Sequence, residues 1–355
     1  MRNARRALAV GLSVVALCVG VLVLRAAIRA SAASAPAAAR LAVVLVPGAT
    51  KSELVVVDLD TAKVVRRVGL RSLVTDIDAD PVRGTVVAAQ TGGIGGLADD
   101  AVSFTDPRTG GVRYVTLPTI DPSQVRCIAG RAVVLHAVVD AGGFAVSALD
   151  LDSESVVATG HAPDGTGMWS SAGDSLWTVA STDATSGLAP ARVDPRTLAS
   201  TRVASVGFTP VAALAVGTAV ALIGSSRESG APGDIALVDS HTGELRNRVS
   251  VPGLAHGPQC GVEVGGSLVI GDWNGEMPED PTLAVLDPTT LAVERRISVG
   301  TAPCALGADG ADLLVVDRVQ GVLRAVDPST GITLWRVDLG ARDLLCSRVV
   351  VVPPR

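Results

Sequence analysis

The chain has 355 residues, of which 48% are hydrophobic but only 2% aromatic. It is therefore long enough for one large β domain or two smaller domains, with a core of Val, Leu and Ala. The first 40 residues contain six arginines and no acid, so the remainder has 24 basic and 35 acidic residues and a formal charge of −11. An acidic, aromatic-poor body argues against nucleic acid as a partner, because nucleic-acid binding needs a basic surface and usually aromatic stacking platforms.

The N-terminus contains a hydrophobic segment. A basic segment, residues 1–6, precedes an uncharged run of 18 residues, Ala7–Leu24, and residues 29–40 form an Ala-rich tether. We predict that residues 7–28 form a transmembrane helix that anchors the protein in the cell membrane as a single-pass protein with an extracytoplasmic body. Two Ala-x-Ala sites after the run leave a cleaved signal segment and a secreted protein as the alternative.

One motif recurs along the rest of the chain. An aspartate closes an apolar run, and a threonine or serine follows three residues later. The aspartates are Asp58, Asp106, Asp150, Asp194, Asp239, Asp287 and Asp327, at steps of 48, 44, 44, 45, 48 and 40 residues. Each motif predicts a tight hairpin turn capped by the aspartate side chain, with Gly331 in the positive-φ position of the last one.

Each period divides into four short strands separated by Gly, Pro, Asp and Ser. In the seventh unit the strands are Cys304–Ala308, Asp312–Val316, Val322–Val326 and Thr333–Leu339. Periods of this length with four strands each are typical of a β-propeller. We therefore predict an all-β domain over residues 41–355, a seven-bladed β-propeller of four-stranded blades.

The two ends of this domain are expected to share a blade. The chain enters it with three strands, Leu41–Val46, Leu54–Val57 and Val64–Leu70, which lack an inner partner. Arg348–Val352, or the preceding Asp343–Cys346, can supply the missing strand. Closing the ring in this way removes the unpaired strand edges that an open array would expose.

The unit TAPCALGADGADLLVVDRVQGVLRAVDPSTGITLWRVDLG, at residues 301–340, resembles the YVTN and PQQ-like (quinoprotein-like) propeller repeats, which are related in shape to WD40 blades. The resemblance covers residues 41–355 and implies a propeller whose functions range from extracytoplasmic binding and scaffolding to quinone-dependent dehydrogenases. Those dehydrogenases usually have a Trp in most repeats and a vicinal cysteine pair. Here only Trp335 occupies that place and the pair is missing, which argues against the quinoprotein activity.

Loops between the second and third strands and between successive blades are expected to surround one mouth of the channel, where propellers usually bind ligands. Five residues in such loops are candidates for the site: His161, Asp164, His256, Asp317 and Arg318. His161 with Asp164 is the nearest arrangement to an acid–base pair. The other two histidines, in an apolar strand and in a hairpin turn, are expected to be structural.

The loop from 272 to 280 offers a possible metal site. Asp272, Asn274 and Glu276 alternate oxygen-bearing side chains around a glycine turn, which are ligands that Ca²⁺ favours, although the full EF-hand pattern is absent. A solvated acidic loop without metal is the ordinary alternative.

Four cysteines lie outside the N-terminal segment, each predicted near the start of an inner strand: Cys127, Cys260, Cys304 and Cys346. The last three fall in consecutive blades of a closed ring, so Cys304 could form a disulfide with Cys260 or Cys346 outside the cytoplasm. Small buried thiols near the axis are the alternative.

Two functions follow from these features. The first is a non-catalytic binding or scaffold module, tethered to the membrane, that holds an envelope protein or a small ligand at the propeller mouth. The second is an enzyme at that mouth, either a metal-dependent hydrolase or lactonase using Asp272, Glu276 and His256, or a quinoprotein-like enzyme. The sequence favours the first and identifies neither the ligand nor the partner.

Overall fold

The computed structural model describes residues 39–92, 99–138, 143–162, 170–172, 174–181, 188–203, 206–225, 233–251, 260–271, 282–300, 302–342, 344 and 348–354. Arg40–Pro353 forms one compact unit. The described residues are all strand, turn or irregular structure, and none forms an α-helix. None of their segments could cross a membrane as a helix. The predicted helix at 7–28 lies outside them and stays a prediction.

Twenty-eight strands form seven sheets of four antiparallel strands. In chain order they are β1 (Leu41–Val46), β2 (Glu53–Asp58), β3 (Lys63–Gly69), β4 (Val74–Ala79), β5 (Val86–Gln90), β6 (Ala101–Thr105), β7 (Val112–Thr116), β8 (Pro122–Ile128), β9 (Arg131–Val138), β10 (Gly143–Asp150), β11 (Ser155–His161), β12 (Ser170–Ala172), β13 (Ser175–Ser181), β14 (Leu188–Val193), β15 (Ser200–Arg202), β16 (Thr209–Val216), β17 (Ala219–Ser225), β18 (Gly233–Asp239), β19 (Leu245–Val251), β20 (Cys260–Val264), β21 (Ser267–Gly271), β22 (Thr282–Leu286), β23 (Val293–Ser298), β24 (Pro303–Asp309), β25 (Asp312–Asp317), β26 (Val322–Val326), β27 (Thr333–Asp338) and β28 (Arg348–Val352).

The ring closes as predicted, with strands from both ends of the chain in one blade. Blade 1 has the order β28-β1-β2-β3, and blades 2 to 7 take the remaining strands four at a time in chain order. β28 pairs antiparallel with β1 from Leu41↔Val352 to Leu45↔Arg348. The seven inner strands β28, β4, β8, β12, β16, β20 and β24 contact one another in sequence around the channel. The prediction of a seven-bladed propeller of four-stranded blades is confirmed.

The middle strands of each blade are apolar on both faces because neighbouring blades cover both faces. β2, for example, is ELVVVD with four successive buried residues. Its side chains join a core cluster that unites blades 7 and 1, where Val55 and Val57 pack with Leu314 and Val316. The outer strands alternate with solvent instead, as in β11. Near-continuous Val and Leu runs therefore form most of the interior, to which Trp177 and Phe104 add two buried aromatic side chains.

The repeated aspartates close the outer hairpins as predicted. Asp287 shows the geometry: its Oδ1 accepts the backbone N–H groups of Thr289 at 2.9 Å and Thr290 at 2.6 Å. These hydrogen bonds lower the pKa of Asp287. The residue four positions after each aspartate has positive φ: Ala62, Gly110, Glu154, Leu198, Gly243, Leu291 and Gly331. The aspartates are therefore structural parts of the turns.

Side chains of the outer strands also connect one blade to the next at these turns. The Asn247 amide of blade 5 donates to the Thr290 carbonyl of blade 6 at 2.7 Å. Arg295 of blade 6 donates to the Ser329 carbonyl of blade 7 at 3.0 Å. Both donors lie eight residues after their own hairpin aspartate. The hairpins thus contribute to blade-to-blade packing as well as to local turns.

Candidate functional site

Six of the predicted site residues lie outside the described part of the chain. These are Asp164, His256, Asp272, Asn274, Glu276 and Cys346; for Cys260, only the backbone at the start of β20 is described. The calcium site, the disulfide and the acid–base pair stay predictions. His161 is exposed at the end of β11, opposite Ala145. Within the described residues, no three His, Cys, Asp or Glu side chains are grouped as metal ligands.

Asp317 and Arg318 lie where β25 ends and the turn to β26 begins, one of the loops expected at the mouth. Asp317 is fully buried at the end of β25. Its Oδ1 accepts the Gln320 N–H at 3.0 Å, and its Oδ2 lies 3.2 Å from Nη2 of Arg324. Asp317 therefore caps the β25–β26 turn and neutralises a largely buried arginine. The Arg318 backbone bonds to Ala302 and Leu344, so this residue joins the same turn to its neighbours.

Two of the cysteines can be placed. Cys304 is half-buried near the start of β24, as predicted, and packs against the core between blades 7 and 1. Cys127 lies at the end of β8 rather than near its start, because β8 begins at Pro122 and not at Val125. Cys127 is a buried free thiol in the core between blades 2 and 3. Burial, with Asp78 nearby, raises the pKa of this thiol well above its ordinary value.

A cavity of about 250 Å³ occupies the central channel, and inner strands of all seven blades line it. Its walls differ in chemistry. Strands β28, β4 and β8, from blades 1 to 3, contribute four charged residues: Arg348, Asp76, Asp78 and Arg126. We name these four residues the channel cluster. The strands of blades 4 to 7 contribute small or apolar residues, among them Ser170, Ser171 and Gly261.

Asp76 is the centre of the channel cluster. Its side chain is 2% exposed and forms ion pairs with arginines from two other blades. Arg126 Nη1 of blade 3 pairs with Asp76 Oδ2, and Arg348 Nε of blade 1 lies 3.0 Å from Oδ1. The Val125 N–H donates to Oδ2 as well, at 3.1 Å. Asp76 therefore joins three successive blades and compensates both guanidinium groups.

Asp78 has a different environment two residues further along β4. Its Oδ2 accepts the Cys127 N–H at 2.7 Å, and its Oδ1 accepts the Ala79 N–H at 2.9 Å. No guanidinium lies within hydrogen-bond distance of this carboxyl among the described residues. Burial raises the pKa of Asp78, against the opposing effect of Arg126 and these hydrogen bonds. Two carboxyl groups thus face one cavity in unlike surroundings, a common arrangement of acid–base sites.

The two arginines of the channel cluster differ in their exposure and in the hydrogen-bond partners of their guanidinium groups. The side chain of Arg126 is 13% exposed, and that of Arg348 is 31% exposed. Burial disfavours the charge of Arg126, but the carboxylates of Asp76 and Asp78 raise its pKa above the ordinary value. Arg348 reaches Asp76 through Nε, and its Nη1 and Nη2 groups make no hydrogen bond to any described residue. Arg348 therefore retains donors for a ligand.

Sequence reasoning did not identify the channel cluster. The available signal was weak: two aspartates alternate in VTDIDA, and Arg126 lies between apolar residues in the second half of PSQVRCI. Alternate residues of a strand lie on the same face of its sheet, so the pattern places Asp76 and Asp78 together on one face of an inner strand. It does not show that Arg348, at the other end of the chain, meets them.

A second polar group lies inside blade 3. His136 is fully buried in β9, as expected of a structural residue. Its Nε2 is 2.8 Å from Ser147 Oγ, and its Nδ1 bonds to Thr119 Oγ1. Burial lowers the pKa of His136 to about 4. Ser147 Oγ is also 3.1 Å from the exposed Thr159 hydroxyl, so the group is a hydrogen-bonded chain within the sheet.

No family model matches the sequence, and no curated protein matches it. Solved structures match the fold. A candidate 6-phosphogluconolactonase from Bacteroides fragilis shares 14% identity at a TM-score of 0.58, over 89% of this chain and 98% of that chain. A second candidate 6-phosphogluconolactonase, from Bacteroides uniformis, shares 15% identity at a TM-score of 0.60, over 88% of this chain and 99% of that chain. Apo AztD from Citrobacter koseri shares 11% identity at a TM-score of 0.54, over 88% of this chain and 99% of that chain. These similarities show the propeller fold. Membership of the YVTN or PQQ-like family is not confirmed.

Proposed function

We propose that the protein is a hydrolase-like propeller that binds a small molecule in its central channel, and that lactones are its substrate class. The observation that carries this proposal is the pair Asp76 and Asp78 facing one cavity in unlike surroundings, beside two guanidinium groups. The fold similarity to two candidate 6-phosphogluconolactonases supports the choice of lactones.

The residues of the channel cluster suit the hydrolysis of a lactone. Asp78, whose pKa is raised by burial, accepts a proton from the attacking water when it is ionised. The guanidinium groups of Arg126 and Arg348 stabilise the negative charge that develops on the carbonyl oxygen. Asp78 then returns the proton to the ring oxygen as the acyl bond breaks, which leaves an open-chain hydroxy acid.

A panel of γ- and δ-lactones, with and without a phosphate group, tests the proposal with the purified full-length protein. Acid release is followed with a pH indicator. We expect turnover of at least one lactone and a loss of about 100-fold or more in kcat for Asp78→Asn. Asp309→Asn is the matched control, because Asp309 also lies on an inner strand but pairs with Arg40 away from the cavity lining. Equal activity of the Asp78→Asn variant and the wild type would refute the assigned role.

A non-catalytic binding or scaffold module is the second candidate. One observation favours it: the carboxylates of Asp76 and Asp78 accept backbone N–H groups of β8, so they also connect the inner strands of blades 2 and 3. On this view the channel cluster holds the blades together and a ligand binds without reaction. Lactones that bind in calorimetry but are never hydrolysed would support this candidate.

A further inference from the structure

The channel cluster carries no net charge when all four of its residues are ionised. Asp76 and Asp78 balance Arg126 and Arg348, and among the described residues no other that lines the cavity is charged. Asp76 is almost completely buried, and Arg126 is largely so. An added charge in such a place is poorly screened by water, so an ionic ligand costs free energy unless a second charge change accompanies it.

The donors in the cavity nevertheless suit an oxyanion. Nη1 and Nη2 of Arg348 make no hydrogen bond to the described residues, and a guanidinium binds carboxylate or phosphate oxygens through two parallel bonds. On the opposite wall, the hydroxyl groups of Ser170 and Ser171 also make no hydrogen bond to the described residues. Both walls therefore offer donors to one small ligand.

Asp78 is the member of the cluster that can compensate the charge of such a ligand. The groups facing it are Asp76 on its own strand, Arg126 and the Cys127 thiol and N–H on β8, and, through Asp76, Arg348 on β28. Asp76 pairs with two guanidinium groups, whereas Asp78 accepts only backbone N–H groups.

We propose that the channel takes up a small molecule bearing a carboxylate or phosphate group together with one proton, and that the proton resides on Asp78. The anion binds Arg348 and the serine hydroxyls, and protonation of Asp78 offsets one negative charge of the ligand. The raised pKa of Asp78 agrees with this assignment. The inference rests on the proposed function for the location of the ligand, and it adds the ligand's chemical class and a proton that accompanies it. With this proton Asp78 cannot act as a base, so the bound anion is a hydroxy-acid product or an inhibitor and not a lactone under attack.

Titration calorimetry with sodium sulfate tests the proposal, because sulfate remains a dianion throughout the range in which Asp78 titrates. The full-length protein is titrated at about pH 6 in two buffers of different ionisation enthalpy, which reports the protons bound with each sulfate. We expect proton uptake by the protein, and an affinity that weakens by up to about tenfold per pH unit as the pH rises.

Variants separate the parts of the proposal. Asp78→Asn mimics the protonated carboxyl, so it should bind sulfate without proton uptake, and at about pH 7 it should bind more tightly than the wild type. Arg348→Gln should bind at least about tenfold more weakly. Asp309→Asn should behave as the wild type, because it lies outside the cavity lining.

Three outcomes would overturn the inference: no sulfate binding, sulfate binding without proton uptake by the wild type, or equal affinity in the Arg348→Gln variant. The outcome for the proposed function is read separately. Proton-linked sulfate binding without hydrolysis of any lactone would leave the inference standing and refute the hydrolase. Hydrolysis of uncharged lactones without sulfate binding would do the reverse.

Discussion

Buried His136 is expected to make the propeller less stable in weak acid. In the folded protein its pKa is lowered from 6.5 to about 4, because the imidazole is fully buried within blade 3. Between these values the unfolded chain binds a proton at this position and the folded chain does not. Stability is therefore lost as the pH falls from 6.5 towards 4.

The magnitude follows from the two pKa values. Lowering the pH from about 7 to about 5 should reduce the free energy of unfolding by about 2 kcal/mol, and the full loss below pH 4 should be about 3 kcal/mol. The hairpin aspartates do not account for this loss. In five of these turns, hydrogen bonds from turn residues lower the pKa of the aspartate, so the contribution of these carboxylates is lost only when the pH falls below the ordinary value of 3.8. The five are Asp150, Asp194, Asp239, Asp287 and Asp327.

Urea denaturation followed by circular dichroism measures the effect at both pH values. His136→Gln keeps a polar side chain that can bond to Ser147 but does not titrate, so its loss of stability between about pH 7 and pH 5 should be smaller by about 2 kcal/mol. Asp78 and Asp309 also titrate with raised pKa values, and with the opposite effect on stability, but they are the same in both proteins. An identical pH dependence of wild type and variant would refute the reasoning.

Three further perturbations test the fold. Asp76→Ala should destabilise the protein by about 3–5 kcal/mol, because it leaves two largely buried guanidinium groups without their shared carboxylate. Asp76→Asn should destabilise it less, and the denaturation midpoints of the two variants measure the difference. Deletion of residues 348–355 should open the ring and remove two buried valines, which lowers the free energy of unfolding by about 3–6 kcal/mol. The exposed strand edge should make the protein aggregate in size-exclusion chromatography, whereas deletion of 354–355 should leave it monodisperse. Ala62→Gly should raise the free energy of unfolding by up to about 1 kcal/mol, because Ala62 has a φ of 52°; a lower melting temperature in calorimetry would contradict this.

The architecture could be predicted largely from local chemistry. Each Asp-x-x-Thr turn depends on hydrogen bonds between residues two or three positions apart, as at Asp287 with Thr289 and Thr290. The four-strand pattern of each period also depends on neighbouring residues. In the seventh unit the predicted strand ends agree with the structure: β24 to β27 begin and end within one residue of the predicted strands.

Omissions arose where distant residues meet. Asp317 was predicted in a mouth loop, and the structure adds that Arg324 from the next strand pairs with its buried carboxylate. The sequence pattern predicts that a loop follows the strand. It does not predict which distant side chain will pair with a residue of that loop. The residues of the predicted calcium loop lie outside the described part of the chain, so that prediction remains to be tested.

The sequence alone determined a ring of seven similar sheets, because turn capping and alternation of apolar residues act over a few neighbouring positions. Only the tertiary structure decided what the ring encloses. Asp76, Arg126 and Arg348 belong to three different blades and are separated by up to most of the chain, and they meet because closure brings β28 beside β4. Charge compensation in the channel depends on that closure, and no short-range pattern records it.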